Sequence, residues 1–327
     1  MKYLNTRTDP YVESHPLSSD ESAHEFFGYY DIPAFSGDGK RHLVNKVEFF
    51  DRIPREDDKA ELGVIDLATH VCRKVAETHA WNFQQGAMLQ WNPMAPDMEV
   101  IFNIREGDAY RGVILNIETG ERRLLDRPVA NVDPTGRWAV SVSFSRMFTF
   151  RPGYGYAGIQ DPNENVKAPE DDGVWLMDLS SGQSRLVLSL AQIARLAPEG
   201  SPLRSMKILI NHITFNTDAS RIVFLARNFP TATMNWQTSV FTVNRDGGEP
   251  YLLINHGYAS HYHWRDPSHV LFWGGVEGRN GLFLMKDLSG ESEMYDPAFF
   301  IADGHCSYSP DRTWLLYDSY PQKDRYC

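Results

Sequence analysis

Cysteine is scarce in this 327-residue chain: three residues, Cys72, Cys306 and Cys327, with no CxxC spacing. That is too few for a disulfide framework and the wrong pattern for a structural zinc site. Basic charge is short as well, with 32 Lys and Arg against 43 Asp and Glu and a formal net charge of −11. Sequence-independent nucleic-acid binding needs a basic footprint, so the composition argues against that class. No apolar run approaches the ~18 residues of a membrane-spanning helix. The opening stretch from Met1 to Pro10 holds no apolar leader. The expected location is therefore a reducing cytoplasm, or a secreted or periplasmic one if a further segment precedes Met1. GxSxG, P-loop and HExxH motifs are absent, and Gly153-Tyr-Gly155 lacks the third glycine and the strand context of a dinucleotide loop.

What is present is a repeat. Thr214-Phe-Asn-Thr-Asp218-Ala-Ser-Arg-Ile-Val-Phe224, His263-Trp-Arg-Asp266-Pro-Ser-His-Val-Leu-Phe272 and Ser307-Tyr-Ser-Pro-Asp311-Arg-Thr-Trp-Leu-Leu-Tyr317 share one pattern. An apolar or aromatic residue precedes a turn built on Asp, Pro or Gly, and an apolar run follows. Related units lie at Ala34–Val44, Gln90–Phe102 and Val132–Val140. A second column closes each unit, as in Gly112-Val-Ile-Leu-Asn-Ile117-Glu-Thr-Gly120 and Gly281-Leu-Phe-Leu-Met-Lys-Asp-Leu-Ser-Gly290. Asp and Gly suit these turns because they tolerate unusual backbone angles and bond locally. Four antiparallel strands per unit, repeated, predict an all-β fold, a β-propeller of four-stranded blades. The spacings of 48 residues from Asp218 to Asp266 and 45 from Asp266 to Asp311 fit a blade. A β-sandwich also has short strands, but this repeat is too regular for a Greek key.

Five units are complete and the sixth stops early, so the expectation is a seven-bladed propeller cut short in blade six. It would occupy residues 26–327, behind a polar tail over 1–25. The third unit is lengthened by an insertion near 144–172, read as a binding loop, and by a short helix near 189–197 with Pro198 beyond it.

In a propeller, residues just before each inner strand converge on the central channel. That position carries Gly28-Tyr-Tyr30-Asp31, Gln84-Gln85, Asn211-His212, Ser260-His261-Tyr-His263 and Asp303-Gly-His305. Histidine recurs there in three consecutive units although the chain has only 11. His212, His261, His263 and His305 are thus candidates for a metal or acid–base centre, since imidazole serves both chemistries. Channel histidines bonded to backbone and water are the structural alternative. The insertion adds Arg146, Arg151, Tyr154 and Tyr156: Arg offers a fork for carboxylates, and Tyr a sugar-stacking face or a proton. Tyr packed for burial is the alternative there. Cys306 adjoins His305 but points to the opposite face of a strand and reads as core.

The turn pattern resembles TolB-like and WD40-like propellers. More narrowly, Asn211-His212-Ile-Thr-Phe215 and His261-Tyr-His-Trp264 resemble motifs of oligogalacturonate lyases. Of that family's Gln and two His ahead of a Ser-Pro-Asp-Gly turn, only His305 is matched here. Ulvan lyases are a second group with a similar propeller and a His, Tyr and Arg site. The resemblance implies β-elimination on an acidic oligosaccharide, assisted by a divalent metal such as manganese. His212 would be the base or a positioning group, with Arg146 or Arg151 as charge clamp and Tyr154 or Tyr30 as acid. His261, His263 and His305 would hold the metal, and Tyr30, Asp31, Gln85, Asn211 and Tyr156 would line the substrate site. The rival readings are a glycoside hydrolase using Asp31 and Asp303, and a non-catalytic propeller that binds sugar or protein.

Overall fold

Apolar runs such as Val100-Ile-Phe102 and Ile222-Val-Phe-Leu-Ala226 are continuous rather than alternating. Successive side chains of a strand point to opposite faces, so such runs require a sheet covered on both sides. The computed structural model, which describes residues 17–18 and 23–319, shows what covers them. The first sheet is β1 (His24–Phe26), β2 (Arg41–Val47), β3 (Ala60–Asp66) and β4 (Cys72–Thr78). The second is β5 (Gln90–Trp91), β6 (Glu99–Glu106), β7 (Ala109–Asn116) and β8 (Arg122–Leu124). The third is β9 (Asn131–Val132), β10 (Trp138–Ser141), β11 (Gly173–Asp178) and β12 (Ser184–Ser189). The fourth is β13 (Ile208–Phe215), β14 (Arg221–Asn228), β15 (Thr238–Asn244) and β16 (Tyr251–Gly257). The fifth is β17 (Ala259–Asp266), β18 (His269–Val276), β19 (Arg279–Lys286) and β20 (Ser292–Met294). A sixth sheet has two strands among the described residues, β21 (Cys306–Tyr308) and β22 (Leu315–Tyr317). Strands pair in chain order within every sheet, and neighbours are antiparallel.

One apolar core fills each gap between consecutive sheets. Val100 and Phe102 of β6 pack with Leu43, Leu62 and Val64 of the first sheet, while Ile101 between them packs with Val132, Ala139 and Met177 of the third. Val223 and Leu225 of β14 face Tyr262, Trp264 and Phe272 of the fifth sheet, while Ile222, Phe224 and Ala226 turn to the third. Leu271 and Trp273 of β18 meet Cys306 of the sixth. Sheets stacked around an axis through such cores are a β-propeller, as the repeat predicts. Cys306 is core, and burial pushes its thiol far up.

The helix expected near 189–197 is α2 (Leu190–Leu196). Ser189 caps it, and Gln192 returns a bond to the Ser189 backbone, closing a capping box. The insertion near 144–172 opens with a helix that the sequence reading missed, α1 (Phe144–Phe150), capped by Ser143. A third, α3 (Pro202–Ser205), is a single turn. No helix among the described residues is long and apolar enough to cross a membrane. The expected tail over 1–25 lies almost wholly outside the described residues, as does Cys327.

Irregularities in the inner strands create the functional geometry. Phe26 pairs with Asn45, and the next bridge on that edge is Phe35 to His42. The chain between leaves the sheet as a loop over 27–34, which carries Tyr29, Tyr30 and Asp31. Asn45 anchors its root: its amide donates to the Phe27 carbonyl at 2.8 Å, and its side-chain oxygen accepts from the Ala87 backbone at 3.1 Å. Gly86 makes that approach possible. Its φ is +59°, and a Cβ there would lie 2.5 Å from the Asn45 amide. Gly86→Ala should therefore cost about 1–3 kcal/mol of stability, read as a lower urea midpoint with an unchanged slope.

Candidate functional site

In β13 the register shifts between Asn211 and Ile213, leaving His212 as the extra residue of a bulge with φ +48°. A bulge re-aims a side chain, and a non-glycine residue in this region is strained, a combination common at functional sites. The re-aimed imidazole meets the 27–34 loop: His212 Nε2 lies 2.9 Å from Asp31 Oδ2, with both side chains buried. Burial alone would raise the Asp31 carboxyl, but the His212 charge and hydrogen bond outweigh it and hold the pKa below the usual value. With Nε2 committed to Asp31, Nδ1 is the ring nitrogen of His212 left for a ligand.

Two of the other three candidate histidines have the same support. His261, beside a register shift in β17, places Nδ1 3.0 Å from Asp303 Oδ1. Burial would again raise the carboxyl, and the bond to His261 with help from Ser260 and Tyr258 lowers it. His305 places Nδ1 2.9 Å from Asp318 Oδ2. The His261 and His305 rings lie 4.1 Å apart, and Tyr30 packs against both and against His212. Three of the four candidate histidines therefore meet around one aromatic residue.

A cleft of about 550 Å³ opens beside them. Its lining includes His212, His261, Asn211, Asp303 and Tyr29 together with Arg151, Tyr154, Arg227, Trp236 and Gln237. Arg151 donates to the Tyr154 hydroxyl at 2.7 Å and stacks over Trp236 at 5.2 Å. Arg227 approaches the same indole at 5.4 Å, so two guanidinium groups flank Trp236.

Several expected site residues lie elsewhere. Arg146 is 1% exposed and spends its guanidinium inside the protein. It pairs with buried Asp161 at 2.9 Å and donates to the carbonyls of Ile208, Asn163, Val166 and Lys167. It pins the insertion and has no donor left for a substrate. Tyr156 is fully buried, stacks on Phe144 at 4.2 Å and accepts from Asn103 at 2.9 Å, so it is core. Tyr30 gives its hydroxyl hydrogen to the Tyr262 carbonyl at 2.8 Å and accepts from the Tyr262 amide at 3.0 Å. That, with a pKa pushed well up by burial, makes it a brace rather than an acid. Gln84 lines the cleft, while Gln85 lies under Asp31 in a small internal void. His263 is engaged apart from the His261–His305 pair: its Nδ1 sits 3.1 Å from the Trp264 carbonyl, and its ring packs beside Tyr308.

Arg227, Trp236 and Gln237 were missed. The one signal was an arginine inside Arg221-Ile-Val-Phe-Leu-Ala-Arg227-Asn228, a strand buried along its whole length.

A divalent metal needs more donors than this site offers. Among the described residues no group of three His, Cys, Asp or Glu side chains converges as a metal site. His261 and His305 each bond Nδ1 to an aspartate, an arrangement that metal-ligating histidines also use, but His263, the third expected ligand, bonds to the Trp264 carbonyl instead. Two imidazoles do not make a protein-held shell.

The solved structures similar to this one include an oligogalacturonate lyase from Vibrio parahaemolyticus, with TM-score 0.58 and 13% identity over 92% of this chain and 73% of that one. The β-propeller domain of the Trilobed protease from Pyrococcus furiosus aligns with TM-score 0.51 and 12% identity over 91% of this chain and 79% of that one. TolB from Acinetobacter baumannii aligns with TM-score 0.45 and 11% identity over 83% and 53%. The first two show the fold, a β-propeller. No family model and no curated protein matches the sequence.

Two measurements check this account. Arg146→Ala strands buried Asp161 and should cost roughly 3–5 kcal/mol in urea denaturation. His263, which burial depresses to about 4, binds a proton more readily in the unfolded chain, whose His pKa is ~6.5. Its neutral form is thus fully compatible with folding above ~6.5, and stability falls as pH drops from there toward 4, by on the order of 3 kcal/mol in all. His263→Gln should flatten the stability profile across that window.

Proposed function

We propose that this protein cleaves uronate-containing oligosaccharides by β-elimination. The observation that carries the reading is the shared cleft: an aspartate-held imidazole, His212, faces the same space as Arg151 and Tyr154. Elimination removes a weakly acidic proton from the carbon beside a carboxylate. It needs a base, a cation to neutralise the carboxylate, and an acid for the departing oxygen. His212 Nδ1 takes the proton, and Asp31 stabilises the imidazolium that results. The C–H electron pair becomes the new ring double bond as the bond to the 4-linked oxygen breaks. Tyr154, its hydroxyl beside Arg151, gives that oxygen a proton. The chain's overall charge of −11 opposes an anionic ligand, so the cleft's own guanidinium groups must supply the attraction.

The hydrolase reading is weaker on one specific observation. A glycosidase requires a carboxylic acid held protonated near neutral pH. Asp31 and Asp303 are both bonded to histidines and both shifted downward.

Oligogalacturonate and oligoglucuronate should each be incubated with the protein while ultraviolet absorbance of an unsaturated uronate is followed. The expected result is a rise with at least one substrate, lowered about 10²–10⁴-fold by His212→Ala and lowered also by Asp31→Asn. A wild-type protein that produces no double bond, or a His212→Ala variant at full rate, would remove this reading.

A further inference from the structure

β14 carries an arginine at each end, and the two are treated oppositely. Arg221 is buried and fully engaged: it pairs with buried Asp287, and its other donors reach Asn244 Oδ1 at 2.7 Å and Thr242 Oγ1 at 2.8 Å. Arg227 is equally buried, at 7% exposure, yet its Nε has no hydrogen-bond partner and its guanidinium forms no ion pair among the described residues. Its charge meets the Trp236 face instead. A buried charge without a partner is costly, and a protein that builds a complete network for Arg221 six residues away has no structural reason to omit one here.

The surroundings say what completes it. In the sheet, Arg227 lies opposite Leu209 and Thr238, and Asn211 lies opposite Leu225, so Asn211, Leu225, Arg227 and Thr238 share the face that lines the cleft. Asn211 Oδ1 and Gln237 Oε1, also at the cleft, are buried and without partners. A guanidinium asks for an anion with paired oxygens. Two carboxamide oxygens ask for hydrogen-bond donors, which a fully ionised phosphate cannot supply. One ligand group that meets all three is a carboxylate flanked by hydroxyls, which is the uronate unit.

We infer that Arg227 is the residue that recognises the substrate carboxylate, with Asn211 and Gln237 reading the neighbouring hydroxyls; this rests on the cleft being a uronate site, as proposed above. Arg227 holds the charge and Arg151, at the exposed rim, closes over the sugar.

The test is calorimetric binding of trigalacturonate and triglucuronate, each against its methyl ester, to wild type, Arg227→Met and Arg227→Lys. Wild type should prefer one acid to its ester by at least about tenfold. Arg227→Met should weaken binding of the acid about 10- to 100-fold and leave the ester within about twofold. Arg227→Lys, which keeps the charge and loses the fork, should fall between them. The unliganded Arg227→Met protein should melt no lower than wild type, because an unpartnered buried charge has been removed. An unchanged acid preference in Arg227→Met, or no acid preference in wild type, overturns the inference. Absorbance of the double bond is read on the same samples. Acid preference lost in Arg227→Met, with no double bond formed by wild type, sinks the lyase reading alone. Double-bond formation with the preference unchanged in Arg227→Met sinks the Arg227 assignment alone.

Discussion

Asp31 and His212 are 181 residues apart in the chain, and their contact joins the first sheet to the fourth. Tyr30 makes a parallel connection to the fifth sheet through both backbone groups of Tyr262. The loop over 27–34 thus acts as a keystone: sheets that otherwise touch only their neighbours through apolar cores are tied together by polar bonds near the axis. Each bond has a demanding geometry. Asp31 needs a histidine on a bulge, Tyr30 needs an open stretch of β17, and Asn45 needs a glycine beside it. The conformational strain at His212 is tolerable because partners from several sheets over-determine its position.

Around that keystone the electrostatics divide into two halves. Among the histidines, His212, His261 and His305 are each bonded to an aspartate of their own. The arginines have no such pairing: among the described residues Arg227 has no acidic partner, and Arg151 donates to the Tyr154 hydroxyl. On the proposed reading, that difference would orient an anionic ligand with its carboxylate toward Arg227 and Trp236 and its reacting carbon toward His212.

Much of this was legible in the sequence, for reasons that separate local from distant effects. Turn chemistry and apolar runs are local, so the repeat, the all-β architecture and the helix at Leu190–Leu196 could be read directly. The recurrence of His before inner strands encodes convergence, and His212, His261 and His305 do converge. What failed depends on partners far along the chain. Arg146 looked like a ligand-binding residue because the carbonyls and the Asp161 that consume it belong to a folded loop with no pattern of its own. His261 and His263 would share a face in a regular strand, and the register shifts in β17 separate them. Arg227 could not be told from Arg221, because only the folded sheet shows which of them meets an acid.

The keystone also orders the assembly of the protein in time. Its loop belongs to the earliest part of the chain described, while the groups it grips lie on the fourth and fifth sheets, which are synthesised much later. Such high sequence separation makes loop closure slow. Individual sheets, each a meander of adjacent strands, can form from short-range pairings as the chain emerges. The cleft is complete only after the fourth and fifth sheets have packed around the 27–34 loop, so any ligand that needs the whole lining meets it only late in folding.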